Sequence, residues 1–324
     1  MNKDFWQNKK VLVTGASGFI GSHFVEELAQ TGAAVTGLYF KASAGVLTSF
    51  GLPAKNLDFQ AVDLLDLNSL KAVGAGFDLI VSCAALDGNL EFKIKNSARI
   101  LDANMIITSN ILNYAREKGI KNVVLLSSAE VYPLSAASPI VETDDYLKNF
   151  DNLQNGYVLS KRYSEILGRL FGQQYGLKVF LPRPVNVYGP RDKFGDQNNR
   201  VIPSMIKKVL GQQEIEIWGD GSQVRNFIFV KDLVSLILEM AEAGQDSIIN
   251  IAPDETISIL DLAKLISQLC CQPEKIKLLP EKSGGVAERV LSATKLKLAT
   301  ETRSRSLAAG LKETIAWYQN KIKL

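Results

Sequence analysis

Residues 11–23, VLVTGASGFIGSH, constrain this chain more than any other stretch. β-favouring residues run into Thr14, glycines stand at Gly15, Gly18 and Gly21, and apolar residues at helical spacing (Phe19, Ile20, Phe24, Val25, Leu28) continue to Thr31. In order, that predicts a strand, a tight turn and the opening of a helix. Gly15 permits a turn geometry that other residues resist, Gly18 opens the backbone to a phosphate, and Gly21 lets helix and strand lie close. The positive end of the helix then faces a dinucleotide pyrophosphate, with Ser17, Phe19 and Ile20 as further candidate contacts. The spacing is G-x-x-G-x-x-G rather than G-x-G-x-x-G, and a βα turn without a ligand is the competing reading. Its place at the head of a βαβ unit favours the dinucleotide.

At 324 residues and 46% hydrophobic, the chain is long enough for two lobes and a large core. Its 37 basic and 34 acidic residues are interspersed, which argues against nucleic acid or an anionic membrane as a partner. Cys83, Cys270 and Cys271 have neither disulfide nor metal-ligand spacing. No apolar run reaches membrane-spanning length, and a soluble, cytoplasmic protein without a metal is expected.

Further along, Ala33 to Leu38 reads as a second strand ending at Tyr39, Phe40 and Lys41. An acid near this end would hold the adenosine ribose hydroxyls of NAD. Residues 35–41 carry none, and Lys41 suits the 2′-phosphate of NADP, with a solvated lysine as the alternative. Leu57 to Val62 is the third strand, with Asp63 and Leu64 at its end. There a carboxylate meets the adenine amino edge, unless Asp63 or Asp66 caps a helix instead. Phe77 to Ser82 is the fourth strand, followed by Ala84 and Ala85, small enough for a cofactor to pass over the sheet edge or simply tightly packed. A helix from Ser97 to Lys118 carries Asn104 inside its apolar stripe, where an amide must find partners, here backbone near the site. Val123 to Leu126 is a fifth strand, apolar throughout and so buried on both faces. The alternation predicts an α/β fold, a doubly wound parallel Rossmann sheet with right-handed crossovers.

Chemistry-bearing residues gather just past the fifth strand, at Ser127, Ser128 and Glu130, where open α/β sheets bind ligands. The next helix, about Asn155 to Gln174, opens with Tyr157 and Lys161, one turn apart on one face. A phenol of pKa about 10 is a poor acid or base at neutral pH, and a nearby ammonium favours its phenolate. Lys161 can do this while bonding a nicotinamide ribose.

After a sixth strand at Lys178 to Leu181, prolines and glycine in residues 183–190 mark departure into a smaller mixed C-terminal substrate-binding lobe. The expected division is 1–185, including Val185 at the cofactor, and 186–324, with a strand near 225–252 returning to the main sheet. Residues 191–200 are a candidate substrate-closing loop or a plain solvated one. Helices are expected at 202–210, 231–240, 259–269 and 306–319, and strands at 215–218 and 248–251. Arg225 emerges among Phe227, Ile228 and Phe229, where a guanidinium should meet either a protein carboxylate or a ligand phosphate.

The segments TGASGFIG (14–21), SSAEVY (127–132), YVLSK (157–161), RPVNVYGPRD (183–192) and WGDGSQVRNFIFVKDL (218–233) resemble the extended short-chain dehydrogenase/reductase family of nucleotide-sugar epimerases, dehydratases and reductases. The resemblance implies Ser128 as the active-site hydroxyl, Tyr157 as the catalytic tyrosine and Lys161 as its partner. It places Asn186 and Arg225 at the nucleotide diphosphate, moves Arg225 toward phosphate, and makes Arg289 a second candidate there. Glu130 lies where dehydratases and decarboxylases of the family carry Glu, but Ala129 replaces the Asp of many dehydratases. Residues 104–112, 189–194 and 200–203 are similar to GDP-fucose synthases, whose epimerising Cys and His would fall at Glu130 and Arg191. The implied activity is NADP-dependent hydride transfer at C4 of a nucleoside-diphosphate sugar, by a 4-keto reductase or an epimerase. The alternatives are a 4,6-dehydratase using Glu130 and an NADP-binding regulator without chemistry. Pairing of the two long helices across a two-fold, as in the family, implies a homodimer.

Overall fold

Unbroken apolar runs predict strands covered on both faces, and a computed structural model of the chain, describing residues 2–40, 56–144, 155–195, 200–244 and 248–322, builds them so. In chain order the strands are β1 (Lys10–Thr14), β2 (Ala34–Tyr39), β3 (Leu57–Ala61), β4 (Leu79–Ser82), β5 (Asn122–Leu125), β6 (Lys178–Pro184) and β7 (Asn186–Tyr188). They continue as β8 (Ile215–Trp218), β9 (Val224–Arg225), β10 (Phe227–Phe229), β11 (Ile248–Ile251), β12 (Ile257–Ser258), β13 (Ile276–Leu279) and β14 (Glu288–Arg289). Seven form one sheet in the order β11-β6-β5-β4-β1-β2-β3, parallel from β3 through β6. The chain builds outward from β1 to β3, then jumps back to β4 on the other side of β1. That reversal opens a crevice at the carboxyl ends of β1 and β4.

By contact, the chain divides into two units, residues 1–131, 149–183 and 234–249 in one and 132–148, 184–233 and 250–324 in the other. The first owns a core in which Leu12, Ile80, Val123 and Leu181 of the sheet bury Ile111, Leu112 and Tyr114 of the Ser97–Glu117 helix. That helix packs on the Gly156–Tyr175 helix through polar ties, Thr108 Oγ1 to Ser164 Oγ at 2.8 Å and Ser109 Oγ to the Tyr163 hydroxyl at 2.7 Å.

The elements fall close to their expected bounds, with one instructive difference. β6 continues to Pro184 rather than stopping at Leu181, carrying Arg183 into full burial. The Arg183 guanidinium makes a fork to the buried Glu165, Nε to Oε1 at 2.8 Å and Nη2 to Oε2 at 2.7 Å, and Glu165 also accepts from Ser127 Oγ. A charge that would otherwise end the strand is thereby matched.

The second unit has its own core, where Ile206 of the Val201–Leu210 helix, Leu262 and Ile266 of the Ile259–Leu269 helix and Leu311 of the Leu307–Ile322 helix meet Ile217 and Phe229. Its sheets are small: β8 with β13, β7 with β10, and β12-β9-β14. Among the described residues no helix is long and apolar enough to cross a membrane.

Candidate active site

The glycine turn is forced by its surroundings. Gly15 has φ +64°, and a Cβ there would stand 3.0 Å from Ala84 N, which itself donates to Thr14 Oγ1 at 3.2 Å. A Cβ on Gly21 would collide with the Gly15 carbonyl oxygen. The Phe19–Gln30 helix starts from the exposed, extended Gly18, which offers no side-chain cap, and Ser17, Phe19 and Ile20 are half-buried around it. An uncapped helix N-terminus behind a left-handed glycine turn, beside the small Ala84 and the exposed Ala85, fits a dinucleotide pyrophosphate.

Other residues at this edge have structural partners. Asp63 Oδ1 accepts from Leu65 N at 3.0 Å, while Asp66 is the cap of the Leu67–Lys71 helix. Leu64 is buried in the core, its carbonyl accepting from Asn110. Asn104 is buried and clamps the Leu86 backbone from both sides, Oδ1 accepting from Leu86 N at 2.7 Å and Nδ2 donating to Leu86 O at 3.1 Å; it also reaches Ser160 Oγ. Lys41 lies outside the described residues.

At the end of β5, Ser128 precedes a single 3-10 turn, Ala129–Val131, and its Oγ accepts from Glu130 N at 3.1 Å. Tyr157 stands in the first turn of its helix. Asn155 caps that turn by accepting from Tyr157 N and Val158 N. Gly156 cannot be larger, because a Cβ there would collide with Ser97 O, and its N–H donates to Ser97 Oγ at 2.6 Å. The tyrosine is thus fixed at its backbone by a neighbouring helix, a constraint that the Tyr/Lys spacing does not reveal.

Lys161 is half-buried, its Nζ donating to Leu126 O at 2.6 Å and lying 5.5 Å from the centre of the Tyr157 ring. Burial pushes its ammonium below the usual lysine range; Asp87, Cys83 and Glu130 oppose that shift and Lys93 adds to it. The same burial pushes the Cys83 thiol far up, leaving it inert.

Lys93 is a residue that sequence reasoning missed. It rises from the short Leu90–Lys95 helix, is 7% exposed, and sets its Nζ 2.6 Å from Glu130 Oε1, 3.3 Å from Asp87 Oδ1 and 3.9 Å from the centre of the Tyr157 ring. A lysine among Leu90, Glu91 and Phe92 carries no signal of its own. Only the fold brings it to Tyr157.

In the second unit, Val185 is buried with its N–H on Ile251 O, and Asn186 donates to Asn226 O at 3.1 Å. Among the described residues Arg225 is paired with no carboxylate: it donates to Val224 O at 2.7 Å and Val286 O at 2.8 Å, and desolvation lowers its pKa. Arg289 donates to Tyr132 O at 3.0 Å. In the parallel pairing of β9 with β14 these two arginines are register partners.

Comparison with known proteins agrees with this fold. Residues 11–252 match the model of the "NAD dependent epimerase/dehydratase family". The chain is 43% identical to a dTDP-4-dehydro-6-deoxy-D-allose reductase of a Streptomyces species, covering 98% of this chain and 99% of that one. It is 41% identical to a protein of the same name from Streptomyces bikiniensis, covering 99% of each. Among solved structures, epimerase Mth375 of Methanothermobacter thermautotrophicus is similar with a TM-score of 0.88 at 26% identity, covering 99% of this chain and 96% of that one. With a glycine turn at the switch point, a Tyr/Lys helix beyond β5 and these full-length relatives, the chain belongs to the NAD-dependent epimerase/dehydratase family, the extended short-chain enzymes that modify nucleotide sugars using NAD(P).

Proposed function

We propose that this protein is a 4-keto reductase that uses NADPH to reduce a dTDP-4-dehydro-6-deoxyhexose at C4. The observation that carries the reading is the pair of relatives at 43% and 41% identity over nearly the whole chain, both named for that reaction. The unit containing β1 serves the coenzyme and the other unit the nucleotide sugar.

Gly15, Ser17, Gly18, Phe19, Ile20 and Gly21 hold the pyrophosphate, Asp63 and Leu64 border the adenine, and Ala84, Ala85 and Asn104 line the path to the nicotinamide. The coenzyme supplies the hydride when bound. Ser128 donates a hydrogen bond to the C4 oxygen, orienting it toward Tyr157. Tyr157 gives that oxygen its proton, and Lys161 favours the resulting phenolate while bonding the nicotinamide ribose. Arg225, Arg289 and Asn186 bind the diphosphate, for which a guanidinium fork is suited. The absence of an acid over residues 35–41, together with Lys41, supports NADP over NAD.

Exposed Ile106, Ile166 and Leu170 on the two long helices support a homodimer built on that face. Light scattering giving the mass of one chain would remove it. We place the enzyme in the cytoplasm, in keeping with three cysteines that form no disulfide.

Supplied with a dTDP-4-dehydro-6-deoxy sugar, the protein should consume NADPH, read as loss of its absorbance. Failure to do so, with conversion of dTDP-glucose to a keto sugar instead, would replace this reading by the 4,6-dehydratase that uses Glu130. Binding of NADPH with no turnover of any nucleotide sugar would leave a regulator.

A further inference from the structure

We propose that Lys93 decides the outcome of the reaction: by holding Glu130 in an ion pair against Tyr157, it confines the site to reduction at C4 and keeps the neighbouring sugar carbons from exchanging protons. This inference rests on the reductase reading.

A buried ammonium is costly unless paired, and one carboxylate would suffice. Lys93 instead touches three groups of the site: Glu130 Oε1 at 2.6 Å, Asp87 Oδ1 at 3.3 Å and the Tyr157 ring at 3.9 Å. Glu130 is otherwise well placed to act as a second base, since its N–H rests on Ser128 Oγ and its side chain is 45% exposed. A ketone at C4 makes the hydrogens on C3 and C5 acidic. If a carboxylate oxygen took one of them, the C–H bond would break, its electron pair would pass into an enolate with oxygen on C4, and the carboxyl group would gain an O–H. Return of a proton from the solvent pool would restore the ketone with an exchanged hydrogen, and return on the opposite face would invert the carbon. No oxidant or reductant is needed, so nothing in the coenzyme's redox state prevents it.

The ion pair does prevent it. If Glu130 takes a carbon-bound proton on either oxygen, its carboxylate loses the charge that pairs with Lys93, leaving a buried cation over Tyr157 with Asp87 as its remaining carboxylate. The loss is largest where the dielectric is lowest.

The test supplies a dTDP-4-dehydro-6-deoxy sugar in D2O and reads deuterium at C3, C4 and C5 of the sugar by NMR, alongside NADPH oxidation. Wild type should reduce the ketone with no enzyme-dependent deuterium at C3 or C5. Lys93→Met, of similar length without charge, should raise exchange at C3 or C5 about 100-fold over the rate without enzyme, the lower range for one positioned base. Adding Glu130→Gln to that variant should return exchange to the wild-type level. Should Lys93→Met not melt cooperatively, Lys93→Gln takes its place.

Wild-type exchange at C3 or C5 overturns the proposal whatever the variants do. So does a folded Lys93 variant that reduces the ketone without added exchange, and in that case the reductase reading survives. Absence of NADPH oxidation by wild type with any 4-keto nucleotide sugar overturns the reductase reading and this inference with it.

Discussion

Tyr157 with Lys161 in one unit, and Arg225 with Arg289 in the other, are brought together by different means. The first pair lies four residues apart on one helix, so that spacing in the chain becomes spacing in space. The second comes from two-residue strands that are adjacent only because β14 pairs with β9. A long element locks its residues through many shared hydrogen bonds and a buried face. A pair of two-residue strands has little of either, and depends on the loops around it. The first arrangement suits a step that must place a proton accurately; the second suits grip on an anion, which tolerates adjustment.

If that contrast is right, damage to the first pair should appear in kcat and damage to the second in KM. The largest effect is expected for Tyr157→Phe, with kcat falling about 10³-fold or more and NADPH-dependent thermal stabilisation retained. Arg183→Met tests the rigidity behind Ser127 and Ser128. It leaves Glu165 buried without its ion-pair partner, and urea denaturation should show a loss of about 3–5 kcal/mol. Arg225→Met should raise KM for the nucleotide sugar about 10- to 100-fold, the cost of a lost charge-assisted hydrogen bond, with kcat within a few-fold. A collapse of kcat instead would erase the distinction between the two pairs. The smallest change is expected for Asn155→Ala, which removes the cap below Tyr157. Its cost should be about 1 kcal/mol of stability in the same denaturation measurement.

The same contrast explains what was legible in the sequence. The glycine turn, the alternating strands and helices and the Tyr157/Lys161 face follow from local pattern, and they lie within about three residues of where the structure puts them. Three features depend on residues far apart in the chain. Arg183 extends β6 because Glu165 awaits it, Gly156 is required because Ser97 lies against it, and Lys93 joins Glu130 from a helix with no recognisable motif. None of these is a periodicity. Arg225 was expected to need a carboxylate or a phosphate, and the carbonyls of Val224 and Val286 satisfy part of it through loop geometry that no pattern encodes.

β11 is the last strand of the seven-stranded sheet to be translated, and it follows the chain's excursion through residues 184–233 of the second unit. A ribosome that has just released β6 therefore exposes a nascent sheet with an unpaired border, and it stays so until residue 251 has emerged. During that interval the border is open to strands of other chains. For the same reason, truncation after residue 185 would yield a sheet lacking its final strand, not a free-standing coenzyme module.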